Sequence, residues 1–261
     1  MYKIGFLGLG KMGTSLLMGM LNKNLYPKED ICFYAPSDKT KAKGRSFGIN
    51  LAANEADLLE KSQIIILAVE PQKYEQIFAL LGEIDTKNKT IISLAPGKNI
   101  TYLKGVFKEA QIVRAMPNTP SLIGEGVTTL AFEGETIKEV IDIFSSVGTC
   151  VVIKEEEIDK AIPLQGSMPA YIFEFVKSFV DVAKKYDLDE KDATKLALLS
   201  IIGSCELALK SEKDLDELID SVCSPGGATI AGLDALRANN FEESIKECYR
   251  ACVRHSEELK K

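Results

Sequence analysis

The chain has 261 residues, 46% hydrophobic and 27% charged, a balance that suits a globular protein of one large or two smaller domains. A net charge of −6 with no basic stripe excludes a general nucleic-acid binder, which needs clustered cations to displace counterions from phosphates. The six cysteines, Cys32, Cys150, Cys205, Cys223, Cys248 and Cys252, contain no CxxC pair. Cys248 and Cys252 share a helix face but lack a second ligand pair, so reduced thiols are expected and a metal site is not.

Met1-Tyr-Lys-Ile-Gly-Phe-Leu7 runs straight into a strand, with no basic region, apolar signal core or cleavage site. No apolar run approaches the length of a membrane span, and a cytoplasmic protein without membrane partners is expected. The predicted strand at residues 4–8 is followed by Gly8-Leu-Gly10-Lys-Met-Gly13 and a helix over residues 14–21. This is the strand, glycine turn and helix order of a dinucleotide site. Gly8 allows the turn, Gly10 lets the backbone approach a pyrophosphate, and Gly13 lets the helix pack on the strand.

A second strand, residues 30–34, ends in Ala35-Pro36-Ser37. An NAD-preferring fold places Asp or Glu about here to bind the ribose; this chain has a small neutral residue, then Ser37, Lys39, Lys41 and Arg45. A ribose 2′-phosphate is therefore not repelled, and NADPH is the expected cofactor, with NADH possible. The continuous apolar runs at 62–69, 90–95 and 110–115 read as parallel strands buried on both faces. Their carboxyl ends, Ala68-Val69, Ala95 and Met116-Pro117-Asn118, should border one crevice with Ala35, since ligands collect there in open α/β sheets. Residues 126–131 and 150–153 read as further strands, with a helix over 136–146 between them. The alternation gives an α/β fold class: a Rossmann-type parallel-sheet domain over residues 1–155.

Residues 156–261 read as an all-α domain, with helices expected over 156–186, 190–210, 215–221, 225–239 and 241–260. Leu196, Leu199, Ile202 and Gly203 fall on or near one apolar face, and so do Ile172, Phe175, Val176, Phe179 and Val182. About a hundred residues cannot easily hide that surface within one subunit, so burial between subunits is its natural outlet. The one histidine, His255, sits near the C-terminus among Arg254, Glu257 and Glu258, where a solvated helix end is the plain reading. Acid–base chemistry must use other groups.

The stretch Ser221-Val-Cys-Ser-Pro-Gly-Gly-Ala-Thr229 reads as the start of a helix, with Ser224 as N-cap and Pro225 in the first helical position. Gly226 and Gly227 clear the approach to the first turn, whose free N–H groups and dipole favour an anion such as a carboxylate. Thr229 adds a hydroxyl at the same end.

With both halves read, the chain resembles pyrroline-5-carboxylate reductase, the last enzyme of proline synthesis. The resemblance rests on Gly5-Phe-Leu-Gly-Leu-Gly-Lys-Met-Gly13, Ala68-Val-Glu-Pro71, Met116-Pro-Asn-Thr-Pro120, Gly166-Ser-Met-Pro-Ala-Tyr171 and, most specifically, Val222 to Leu233. It spans essentially the whole chain. It implies reduction of the cyclic imine 1-pyrroline-5-carboxylate to L-proline with NADPH or NADH. It also implies a Rossmann domain with a helical dimerisation domain, assembled as a homodimer or as a decamer of dimers. Leu9, Gly10, Lys11 and Met12 would meet the pyrophosphate, and Ala35, Ser37 and Asn54 the adenosine ribose. Val69, Pro71 and Ala95 would pass along the nicotinamide. Gly227, Ala228 and Thr229 would hold the substrate's carboxylate and ring, with Ser221 and Glu155 as further candidates. Thr229 would supply or relay the proton to the ring nitrogen.

The chain departs from the family pattern at Glu70, where Lys is usual, and at Pro96, where Ala is usual. In the family's Ser-Gly-Ser-Gly-Pro-Ala segment, Gln165 and Met168 replace the first Ser and the second Gly. These changes keep two other readings open: a reductase of another cyclic imine, and a catalytically weakened nucleotide-binding paralogue with a regulatory role. A β-hydroxyacid dehydrogenase on a similar plan relies on a lysine in the helical domain, where this chain offers Gln165 and Met168, with Lys160 and Lys177 the nearest lysines.

Overall fold

The computed structural model describes residues 1–81 and 84–258. Two compact units emerge, one of Met1–Pro169 together with the chain from Cys252 onward, the other of Ala170–Ala251.

The first unit is built on eight strands: β1 (Tyr2–Leu7), β2 (Ile31–Tyr34), β3 (Asn50–Leu51), β4 (Ser62–Leu67), β5 (Thr90–Ser93), β6 (Gln111–Met116), β7 (Gly126–Phe132) and β8 (Gly148–Val152). They form one sheet in the order β3-β2-β1-β4-β5-β6-β7-β8. The intervening helices are α1 (Lys11–Asn22), α2 (Asp38–Ser46), α3 (Glu55–Lys61), α4 (Tyr74–Leu81), α5 (Ile100–Val106) and α6 (Lys138–Ser145). The apolar runs read from the sequence are central strands whose alternate residues enter two different cores. Ile4, Phe6, Ile64 and Ile66 pack with Leu16 and Leu17 of α1 and Phe144 of α6. Leu7, Ile65 and Leu67 pack on the other face with Leu58 of α3, Tyr74 of α4 and Leu103 of α5. Each such side chain, fully buried, contributes roughly 1.5–3 kcal/mol.

Strands β1 to β6 are mutually parallel where they pair, but β7 runs antiparallel to β6, and β8 is parallel to β7. The β6–β7 connection carries only a short 3₁₀ turn, Thr119–Ile123, which is too little chain for a parallel crossover. All six cysteines are free thiols, and burial pushes the Cys32 thiol up to about 11.

The sheet ends at Val152, close to the boundary expected at residue 155, yet the compact unit continues through α7 (Glu155–Ala161) to Pro169. The cause is Arg114 on β6, only 3% exposed. Its guanidinium lies 3.4 Å from Glu155 and 3.5 Å from Asp159, both on α7. The backbone N–H of Ile100 also donates to the Glu155 carboxylate, at 2.6 Å. A buried cation needs such partners, and here they tether α7 to the sheet.

Beyond α7 the single helix expected over 156–186 is broken into α7, a turn, α8 (Met168–Ala183) and a 3₁₀ turn, Lys184–Tyr186. Pro163, Gly166 and Pro169 fall in or beside the break, and the prolines lack the N–H groups a continuous helix requires. Then follow α9 (Glu190–Lys210), α10 (Leu215–Val222), α11 (Ala228–Ala238) and α12 (Phe241–Glu258). Asp189 caps α9, and Asp214 with Glu217 forms a capping box on α10. The second unit has a small core of Val176, Val180 and Ala193, packed with Ile172, Ala197 and Ile201. Phe173, Phe179, Leu196, Leu199 and Ile202 remain more than half exposed, at 53–64%. No helix among the described residues is long and apolar enough to cross a membrane.

Arg114→Ala leaves two buried or half-buried carboxylates facing each other without their cation, and should cost roughly 3–5 kcal/mol in chemical denaturation. An unchanged unfolding midpoint would contradict the tether.

Candidate active site

The order of the sheet reverses between β1 and β4, and the crevice at such a switch point is where open α/β sheets bind ligands. Two backbone bonds shape its floor: Gly8 N–H donates to Tyr34 O at 2.8 Å and Ala68 N–H to Leu7 O at 2.9 Å. Gly8 has φ +92°, and a Cβ there would lie 2.8 Å from Ala68 O. A Cβ on Gly13 would lie 2.9 Å from Gly8 O, so the helix presses close on the turn. Gly10 is different, because a Cβ there would meet nothing within 4 Å. Its missing side chain leaves open space above the turn rather than relieving a clash.

Gly10 is the N-cap of α1 and provides no side-chain cap. Thr14 N–H makes the first intrahelical bond, to Gly10 O, so the N–H groups of Lys11, Met12 and Gly13 have no acceptor within the helix. This cradle suits a pyrophosphate in both charge and room. Leu9 is 2% exposed with its side chain in the core, so only its backbone is available to a ligand; Lys11 is exposed.

At the ribose end, Ala35 is buried and Ser37 caps α2, its hydroxyl accepting from Thr40 N–H and donating to Thr40 Oγ1. Asn54 likewise caps α3, its Oδ1 accepting from Asp57 N–H at 2.9 Å. Both side chains are thus held in place by the helices they start. Lys41 pairs with Asp38, whereas Lys39 and Arg45 form no ion pair among the described residues.

On the β4–β5 side, Val69 and Pro71 are half-buried and Ala95 is buried. Glu70 lies 3.1 Å from Lys73, so its carboxylate carries a cation of its own. Tyr74, which no motif in the sequence marks, pins this edge. Its hydroxyl donates to Leu67 O at 3.3 Å and pairs with Ser93 Oγ at 3.0 Å, while Ala95 N–H donates to Ser93 Oγ. Burial pushes the Tyr74 phenol well above its ordinary pKa, so it remains a neutral brace. Beyond β6, Asn118 Oδ1 accepts from Val127 N–H at 2.8 Å and its Nδ2 donates to Gln165 O at 3.0 Å.

In the second unit the expected helix start is corrected. Helix α11 begins at Ala228 with Gly227 as its N-cap, not at Pro225 with Ser224 as cap. Ser224 to Gly227 is a turn instead, closed by Gly227 N–H donating to Ser224 O at 2.9 Å, with Gly226 at φ +72°. Proline followed by a left-handed glycine is the chemistry of a type II turn, and it outcompetes an earlier helix. The anion-binding logic survives the shift. Ala231 N–H bonds Gly227 O, leaving the N–H groups of Ala228, Thr229 and Ile230 without helical acceptors. The Thr229 hydroxyl is exposed and makes no hydrogen bond among the described residues. Apolar grooves of ≈ 740 Å³ and ≈ 440 Å³ border Thr229, the first lined by Phe179, Leu236 and Phe241, the second by Leu207, Leu215 and Leu233. Two weaker candidates are engaged elsewhere. The Ser221 hydroxyl donates to Leu218 O, and the Glu155 carboxylate is held by Arg114 and Ile100 N–H.

Comparison with known proteins decides the family. Residues 155–259 match the family model described as pyrroline-5-carboxylate reductase dimerisation, and residues 3–97 that described as NADP oxidoreductase coenzyme F420-dependent. Over 99% of the chain it is 32% identical to the pyrroline-5-carboxylate reductase of Escherichia coli, covering 98% of that protein. The chain belongs to the pyrroline-5-carboxylate reductase family. The enzyme of that name from Methanosarcina acetivorans is 34% identical over 99% of this chain and 97% of its own length. The crystal structure of Plasmodium falciparum pyrroline carboxylate reductase with NADP bound superposes with a TM-score of 0.88 at 33% identity, covering 100% of this chain and 98% of that one. The chain thus has an N-terminal nicotinamide-cofactor domain followed by a helical domain of the dimerisation type.

The open space above Gly10 leaves room for a ligand to approach the turn. Gly10→Ala should fold with a loss below about 1 kcal/mol, the scale of a changed N-cap, yet bind NADPH at least about tenfold more weakly. Equal cofactor affinity in a titration would show that nothing seats against this turn.

Proposed function

We propose that this chain reduces 1-pyrroline-5-carboxylate to L-proline, the last step of proline biosynthesis, as an NADPH-dependent oxidoreductase acting on a C=N bond. The observation that carries this reading is the start of α11: three N–H groups without helical acceptors, and a threonine hydroxyl with no hydrogen bond among the described residues, behind a Ser-Pro-Gly-Gly turn. Such an arrangement suits a small ring bearing a carboxylate beside a basic nitrogen. The N–H groups of Ala228, Thr229 and Ile230 receive the carboxylate, and the Thr229 hydroxyl donates to the ring nitrogen, supplying or relaying its proton. Gly227 keeps the approach clear, as a Cβ there would already crowd Ser224 Oγ at 2.6 Å.

When bound, the nicotinamide cofactor supplies the hydride. The chain's part is to hold and align. The N–H groups of Lys11, Met12 and Gly13 take the pyrophosphate, and Gly8 and Gly10 shape the turn that lets it approach. Ala35, Ser37 and Asn54 border the ribose, with no carboxylate on β2's end to repel a 2′-phosphate, which favours NADPH over NADH. Val69, Pro71 and Ala95 flank the nicotinamide. A protonated C=N bond is already electrophilic, so alignment can supply much of the catalysis, about 7–11 kcal/mol in favourable intramolecular cases. No histidine is required: His255 is exposed at the end of α12, beside Glu258.

The proposed setting is cytoplasmic. Residues 156–261 serve as the dimerisation and substrate-binding domain, and their exposed phenylalanines and leucines close on a second copy to give a homodimer, with a decamer of dimers as the larger assembly.

Steady-state assay of pyrroline-5-carboxylate and its six-membered analogue against NADPH and NADH tests this reading. The expected result is pyrroline-5-carboxylate-dependent oxidation, faster with NADPH, with proline as product. Thr229→Val should lower kcat by about 10² or more if its hydroxyl handles the proton, leaving NADPH affinity unchanged. A folded preparation that binds NADPH without turning over either imine would identify a nucleotide-binding paralogue instead.

A further inference from the structure

Gln165 lies in the turn between α7 and α8, in the same compact unit as the nucleotide crevice. It is only 6% exposed, and neither its Oε1 nor its Nε2 has a hydrogen-bond partner among the described residues. Buried amides are almost always satisfied, and an amide missing both its donor and its acceptor contacts is a marked departure. Its main chain is tied to the carboxyl end of β6: Asn118, two residues beyond that strand, donates to Gln165 O. A second orphan, the Thr129 hydroxyl, belongs to the residue paired with Met116 in the β6–β7 register, at the same end of the sheet.

The chemistry of the two orphaned atoms selects the partner. A phosphate or carboxylate can only accept, and would leave Oε1 unpaired and repelled. A primary carboxamide both donates and accepts in one plane, and satisfies Oε1 and Nε2 together. Sheet order says which carboxamide reaches this place. With the ribose end at β2 and the pyrophosphate at the β1–α1 turn, the rest of a dinucleotide extends over β4, β5 and β6. We infer that the Gln165 side chain forms a reciprocal amide pair with the nicotinamide carboxamide and thereby fixes the rotation of the ring about its glycosidic bond. This rests on the nicotinamide-cofactor reading. It gives a function to one of the departures from the family segment, because the serine usual there lacks the amide's paired donor and acceptor.

The test is equilibrium binding to the full chain and to Gln165→Met, which is close in length and has no hydrogen-bonding amide. Three ligands are titrated: NADP⁺, its 3-acetylpyridine analogue, in which the carboxamide NH₂ is a methyl, and 2′-phospho-ADP-ribose, which lacks the nicotinamide. The unaltered chain should bind NADP⁺ about tenfold more tightly than the analogue, and Gln165→Met should erase most of that difference by weakening NADP⁺ about tenfold. Affinity for 2′-phospho-ADP-ribose should be equal in both proteins, which also shows that the variant folds. Equal affinity of the unaltered chain for NADP⁺ and the analogue would overturn the pairing. So would a uniform weakening of all three ligands, or a raised KM for pyrroline-5-carboxylate with NADP⁺ binding intact. If the unaltered chain binds 2′-phospho-ADP-ribose as tightly as NADP⁺, the nicotinamide reading itself fails, and the pairing with it.

Discussion

The cofactor half of the molecule depends on one close backbone contact, the glycine at position 8 against the carbonyl of Ala68. β1 and β4 are neighbours only because the sheet reverses its order there, and the chain leaving β1 must turn sharply into α1 beside the end of β4. Gly8 makes that turn at φ +92°, where a side chain would be strained and would strike Ala68. Gly13 then lets α1 sit on the turn, and the first N–H groups of the helix are left pointing into the crevice. Burial of β1 and β4 on both faces holds this geometry in place, so a dipole and three donors stand ready at the turn.

The same device, a glycine-rich turn feeding a helix with unsatisfied donors, recurs at Gly226–Thr229 in the second unit. The two differ in what surrounds them. The first is set between strand ends in a packed domain. The second stands among helices with a small internal core and half-exposed phenylalanines and leucines. That contrast fits a division of labour in which the first unit carries a dinucleotide and the second both seats a small substrate and meets another subunit.

Most of this was legible in the residues. Short isoleucine runs bounded by turn residues fit doubly buried parallel strands, and GxGxxG between a strand and a helix fits a dinucleotide turn. Helix α9 spans Glu190–Lys210, the range read from its apolar spacing. What escaped was decided by local competition or by distant pairing. The type II preference of Pro225-Gly226 delayed α11, a choice that periodicity does not reveal. The antiparallel β7 followed from a connection too short to cross over. Arg114, Glu155 and Asp159 are separated in sequence by some forty residues, and no spacing rule marks Arg114 as the buried cation that recruits α7. Asn118 was legible as a residue at the crevice, but not the contacts its side chain makes, and nothing in the residues around Tyr74 marks its hydroxyl as a brace for the strand ends. Glu70 and Gln165 stood out only as departures from a family pattern. The structure supplies a cation for the first and leaves the second with an unmet need.

The claim at the centre is that the donors of α11 hold a carboxylate beside the reacting C=N bond. Measuring kcat/KM with NADPH for 1-pyrroline-5-carboxylate and for 1-pyrroline, the same ring without its carboxylate, tests it most directly. The carboxylated ring should be preferred by at least about 10², as expected where charge-assisted hydrogen bonds of roughly 1.5–3 kcal/mol each are lost. Equal kcat/KM for the two rings would show that the start of α11 holds no carboxylate.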